Sequence, residues 1–199
     1  MEKNSKKIML SLIVVLIILI LNSWALNLSI KPVSSIVDFY GTSEEVSLKE
    51  FLNYASENNL SIYLPNKLPS NNFNMTAIYL KRGPFIAIIV YSTEGNKDYK
   101  TAEFTIEMSS VNPDRIPTFS DLQIEAEKSQ DIIAMEINNW PIIIYEHAYN
   151  GHPEFRKKYG EYTLIAYFWI EQVCYSMGAP TLNNAMDLIP IIESMSLMV

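Results

Sequence analysis

The chain has 199 residues, enough for one domain with a real core behind an N-terminal apolar segment and too few for two comfortable ones. Its formal charge is −7; setting aside Lys3, Lys6, Lys7 and Glu2 leaves twelve basic against twenty-one acidic residues, a net −9. A phosphate backbone repels such a surface, and no basic stripe interleaved with aromatics occurs, so nucleic acid is not expected as a partner and anionic lipid headgroups are disfavoured as ligands.

The first segment is "KKIMLSLIVVLIILILNSWAL", Lys6 to Leu26. Its apolar run of about 19 residues is close to the ~20 a helix needs to cross a bilayer, and its stricter core of about 14 also suits a secretory h-region. Ser23 and Ala25 would allow cleavage after Ala25. The dense Leu, Ile and Val content, with Trp24 at the interfacial position, favours a retained anchor. No Cys follows the apolar core, which excludes lipoprotein processing. Lys3, Lys6 and Lys7 precede it and the next basic residue is Lys31, so residues 1–7 are expected in the cytoplasm and everything past residue 26 outside. The expected organisation is a tail (1–7), a single-pass transmembrane anchor (8–26), a stalk (27–43) and an extracytoplasmic domain (44–199).

Within the domain, Ser47 and Glu50 form a capping box, and Leu48, Phe51, Leu52 and Ala55 recur on one face, predicting a helix that ends near Asn58-Asn59. The period then drops to two. "NMTAIYLKRGPFIAIIVYST" reads as two strands joined at Lys81–Pro84, and "EGNKDY" as the next turn. In "TAEFTIEM", Ala102, Phe104, Ile106 and Met108 alternate with Glu103, Thr105 and Glu107, a half-buried antiparallel strand with a wet face. "VNPDRIPTF" is loop. "LQIEAE" reads as strand from its alternation, with Ser120 and Gln123 as helix-capping competitors. A hairpin turning at Asn138-Asn139 and a strand pair turning near Glu171-Gln172 follow.

At the C-terminus, Leu182, Ala185, Met186, Ile189 and Ile192 fit a helical face, with Ile189 and Ile192 turned inward. Pro190 is tolerated if Asp187 is the N-cap, giving either one kinked rod or a short rod after an irregular turn. The predicted fold class is α+β: a mostly antiparallel sheet of six to nine strands packed by an N-terminal and a C-terminal helix.

Trp169, Glu171 and Tyr175 form a Trp-x-Glu-x-x-x-Tyr pattern from the end of one strand to the start of the next, ahead of "GAPTLNNAMDLIPIIESM". Together with "YLPNKLPSNNFNMTAIYL", this resembles the extracytoplasmic domain-of-unknown-function family 4367 over about Ile62 to Met195. The resemblance implies a domain hung from a single membrane helix, in some members the outer part of anti-sigma-like proteins. With about seven residues ahead of the apolar segment here, no cytoplasmic sigma-binding domain is expected. The resemblance implies no catalytic residues.

Chemistry-bearing patterns are sparse. His147 and His152 are five apart, near Glu146 and Glu154, whereas helix-borne metal ligands sit three or four apart; no third His is present. They read as an exposed loop pair, with a weak zinc or copper site as the sharper alternative. Cys174, the single cysteine, reads as a small buried hydrophobe. Asn27, Asn59 and Asn74 sit in N-glycosylation sequons. No cofactor is expected. Trp169 is expected to pack within the domain on the same side as Tyr167 and Tyr175. The sequence points to a membrane-anchored, non-catalytic binding domain whose partner is an envelope protein, a peptide or an apolar ligand. The alternative is an enzyme assembled around His147, His152 and a carboxylate such as Glu171.

Overall fold

The computed structural model describes residues 42–199 apart from Asn183. The predicted tail, anchor and nearly all of the stalk lie outside the described residues, as do Asn27 and the cleavage position at Ala25. Residues Thr42–Val199 form a compact unit. Among the described residues, no helix is long and apolar enough to cross a membrane.

The unit is α+β. In chain order its strands are β1 (Glu44–Glu45), β2 (Tyr63–Pro65), β3 (Asn74–Arg82), β4 (Phe85–Ser92), β5 (Phe104–Ser110), β6 (Ile132–Ile137), β7 (Trp140–Tyr149), β8 (Tyr162–Ile170), β9 (Val173–Ala179) and β10 (Met195–Leu197). The helices are α1 (Leu48–Glu57), α2 (Phe119–Ala126), α3 (Pro153–Tyr159) and α4 (Ile189–Glu193). Eight strands form one sheet in the order β1-β3-β4-β5-β9-β8-β7-β6, with every pairing antiparallel, and β2 pairs with β10 in a separate ribbon.

The predicted local signals shape the elements. Ser47 N–H donates to Glu50 Oε2 at 2.8 Å and Glu50 N–H to Ser47 Oγ at 3.2 Å, which fixes the start of α1 and buries Phe51 and Ala55. The β6–β7 turn places Asn138 and Asn139 at φ 54° and 63°, as a tight hairpin with two left-handed central residues requires. The β8–β9 turn at Glu171-Gln172 puts Glu171 at φ 51°.

Several expectations are corrected. "LQIEAE" lies in a helix, α2, because Thr118 and Asp121 form a second capping box: Thr118 N–H donates to Asp121 Oδ2 at 2.9 Å and Asp121 N–H to Thr118 Oγ1 at 3.3 Å. Satisfying the orphan donors of a helix start outweighs a short run of alternation. At the C-terminus, a 3₁₀ turn (Ala185–Asp187) capped by Asn184 precedes α4, so Asp187 is not the N-cap; Leu188 is, and Pro190 sits in the first turn. Of the short-rod and kinked-rod alternatives, the short rod is the one present. Met186 is 59% exposed, and Ile189 only half-buried, while Ile191 and Ile192 point inward.

The core lies on one face of the sheet, called here the first face. Ile89, Phe104, Ile106, Met108, Phe168, Tyr175 and Met177 form it, covered by α1, the β2–β10 ribbon and the C-terminal 3₁₀ turn with α4. Tyr175 stacks on Phe168 with centroids 5.0 Å apart and rings 7° from parallel. Its hydroxyl accepts from Tyr63 N–H at 2.9 Å, tying the sheet to the ribbon.

Candidate functional site

The second face of the sheet is covered unevenly. α2 packs over β6 and β7, and its Glu125 charge acts on Tyr145 of β7. At the far side the loop after β4 folds back, and Tyr99 meets Tyr79 of β3 edge-on at 6.0 Å. Between these covers the alternate residues of β5, β9 and β8 are half-buried, neither sealed nor fully wet.

Register places them in rows. Glu107 stands opposite Ser176, which stands opposite Tyr167; beside that row, Ser109 stands opposite Cys174, which stands opposite Trp169. On the other side Thr105 stands opposite Gly178, where an added Cβ would come to 3.0 Å from Thr105 Oγ1. A glycine at this point makes room for the Thr105 hydroxyl, which lies where a side chain of residue 178 would begin. Tyr167 meets Tyr145 edge-on at 6.0 Å and hydrogen-bonds Ser176.

Two carboxylates, Glu103 just ahead of β5 and Glu107 within it, lie on this side of the chain in opposite environments. Glu103 is held: Ser92 Oγ and Thr93 N–H donate to Oε2 at 2.7 Å each, and Thr93 Oγ1 to Oε1 at 2.8 Å. Burial opposes its charge, but these hydrogen bonds outweigh it and leave the carboxyl below its ordinary range. Glu107 has no such partner among the described residues, and burial pushes its carboxyl up. Burial, and then the Glu107 charge, raise Tyr167, and the same two causes push the Cys174 thiol up to about 12. At neutral pH Cys174 is therefore a protonated thiol and a weak nucleophile. It is half-buried.

Glu107 is the residue that sequence reasoning passed over. Its alternation with Phe104, Ile106 and Met108 predicts the wet side of a half-exposed strand. The available signal was its place at mid-strand in what became the centre of an eight-stranded sheet.

The linkage sign gives a pH test. A carboxyl raised in the folded state binds more protons there than in the unfolded chain, so it lowers stability as pH rises from the ordinary carboxylate value through the raised folded value. Glu107→Gln is expected to be more stable than the parent at neutral pH. The gap should close as pH falls below about 4, the ordinary carboxylate range. Paired urea titrations across pH check this; a gap that widened in acid would refute it.

The residues singled out from sequence scatter. His147 Nδ1 lies 3.2 Å from Asp131 Oδ1, and the ring meets Tyr162 edge-on at 6.4 Å on the exposed end of β7. His152 is the N-cap of α3, without a side-chain capping bond. Among the described residues, no group of three or more His, Cys, Asp or Glu is placed to hold a metal ion. Glu171 is an exposed turn residue. Trp169 does not share a side with Tyr175: the two-residue turn pairs Ile170 with Val173, so Tyr175 falls opposite Phe168 on the first face and Trp169 opposite Cys174 on the second.

Trp169 is thus half-buried beside Tyr167, not a core residue. Trp169→Ala is expected to cost about 1–2 kcal/mol, below the ~3–5 of a fully buried aromatic. A urea midpoint lowered by the full-burial amount would contradict the placement. Compared with known proteins, the chain matches no family model, no curated protein and no solved structure.

Proposed function

We propose that this chain is a membrane-tethered extracytoplasmic binding module. Its ligand lies across the second face of the sheet and brings a basic group to Glu107 and apolar surface to Trp169 and Tyr167. The observation that carries the reading is the Glu107 carboxylate, half-buried at the centre of that face with no partner among the described residues. A carboxylate in such surroundings is costly when unpaired, and an arriving ammonium or guanidinium offsets that cost while gaining Coulomb energy that water would otherwise screen. The Ser176 hydroxyl, opposite Glu107 on the neighbouring strand, offers an extended peptide a second polar partner. Binding rather than catalysis is favoured by the protonated Cys174 thiol and by the separate engagements of His147 and His152. The resemblance to family 4367 and the tether through residues 8–26 belong to the same proposal.

The test uses the detergent-solubilised full chain and short peptides of alternating leucine and lysine, against the same peptides acetylated on lysine. Calorimetry is expected to show binding of the first and not the second, and loss of binding in Glu107→Gln, a variant that is at least as stable at neutral pH. Equal binding by Glu107→Gln would dismiss the site. For the tether, the chain is expected to stay with membranes after a carbonate wash and to keep its N-terminus in intact-mass analysis. A mature chain beginning at Leu26 would replace the tether with a secreted form.

A further inference from the structure

The two ends of the eight-stranded sheet differ. At one, β1 is two residues long, and both are glutamates, paired to the end of β3 and to the loop after β4: Arg82 Nε–Glu44 Oε1 and Lys97 Nζ–Glu45 Oε1, each 2.5 Å. Shortness and charge are the usual means of closing a sheet edge to further pairing. At the other end, β6 is Ile132-Ile133-Ala134-Met135-Glu136-Ile137, six residues with no Pro, no Lys and no irregularity in its register with β7.

The register shows which backbone groups of β6 face outward. Glu146 N–H donates to Asp131 O at 2.9 Å, so residue 131 and, by alternation, 133, 135 and 137 point to β7, while 132, 134 and 136 point away. Ile132 N–H makes a long bond of 3.3 Å to Ser129 O. The Ile132 C=O and both backbone groups of Ala134 and Glu136 have no partner among the described residues. Backbone groups left unpaired stay reachable by solvent, since burying each would cost about 1–3 kcal/mol, and the half-exposure of Ile132 and Ala134 and the exposure of Glu136 agree.

We infer that β6 is a self-association edge: two copies of this chain pair β6 with β6 antiparallel about a twofold axis through Ala134, joining their sheets. The register is self-complementary. Ala134 pairs with Ala134 of the second copy, and Ile132 with its Glu136, so all three outward-facing residues find partners and no glutamate meets a glutamate. On the first face Ile133 meets Met135 of the second copy. Both already pack against the core, which continues across the seam. Shifting the strands by one outward-facing pair leaves one of the three unpaired. The net −9 beyond the anchor segment opposes association through longer-range repulsion, so the pairing tightens as salt is added.

Single cysteines introduced into the full chain with Cys174→Ala test the register. In an antiparallel hydrogen-bonded pair the two Cα atoms are about 5.5 Å apart, whereas residues 136 of the two copies are displaced by four positions, about 14 Å. A short bifunctional thiol reagent is expected to join Ala134→Cys chains into dimers and to leave Glu136→Cys chains single. Ala134→Pro, which removes the outward donor and none bonded to β7, is expected to abolish the dimer in sedimentation with an unchanged circular dichroism spectrum. Equal cross-linking at both positions, a monomer at every salt concentration, or a dimer that survives the proline would each overturn the pairing. So would a monomer whose β6 edge instead captures a different protein.

Discussion

Tyr175→Ala is expected to cost about 3–5 kcal/mol, a large share of the ~5–15 kcal/mol that a domain of this size holds. Tyr175 is fully buried, stacked on Phe168, and its hydroxyl accepts from Tyr63 N–H at 2.9 Å. Alanine removes the ring and leaves that donor without its acceptor. Tyr175→Phe keeps the ring and separates the two effects: the Tyr63 N–H loses its acceptor and the Ser61 carbonyl a long 3.5 Å bond from the hydroxyl, and the expected loss is about 1–3 kcal/mol. Urea midpoints for the two variants should therefore fall in that order. If phenylalanine proved as costly as alanine, the hydroxyl and not the packing would be the main tie between sheet and ribbon.

Ending the chain at Pro180 is expected to abolish cooperative unfolding altogether. The lost segment contains Ala185, Leu188, Ile191, Ile192 and Met195, all buried, and β10, the partner of β2. Its removal strips the cover from the first face and leaves the backbone of Tyr63–Pro65 without a ladder. Ile192→Ala, which deletes one fully buried side chain, is expected to lower stability by about 2–5 kcal/mol and keep a single transition. A sharp transition in the truncated chain would show that the sheet holds its own core closed.

What the sequence made legible follows from range. Alternation in β5, β8 and β9 is set by residues two apart, and the Ser47–Glu50 cap and the Asn138-Asn139 turn by residues within four. All three were readable and all three are present. β1, β2 and β10 went unread because two or three residues carry no period, and their strand character comes from distant partners. α3 went unread for a similar reason: it is one short helix, braced by Lys158 Nζ at 3.1 Å and Tyr159 Oη at 3.2 Å from Thr101 O, a contact that only the fold brings about. In α2 the signal was present and misweighed, since Thr118 and Asp121 have cap spacing. The face of Trp169 follows from counting across the turn. Once the turn is fixed at residues 171 and 172, residues 169 and 174 must face each other, and Tyr175 must turn to the other side. The candidate site itself depends on which carboxylate finds hydrogen-bond donors, and Glu103 and Glu107 look alike until the loop after β4 folds back over one of them.

The ribbon of β2 and β10 joins stretches that lie more than half the chain apart, and Met198 N–H to Ile62 O at 2.7 Å and Ile62 N–H to Val199 O at 3.0 Å extend it to the last residue. Contacts so far separated in sequence form late, because the intervening loop must be closed before they return any free energy. During synthesis the strands of the large sheet leave the ribosome with α1 already made, but before the 3₁₀ turn, α4 and β10 that complete the cover of the first face. A nascent chain of this protein is thus a client for whatever shields apolar strands, right up to the addition of its final turn of helix and its last strand.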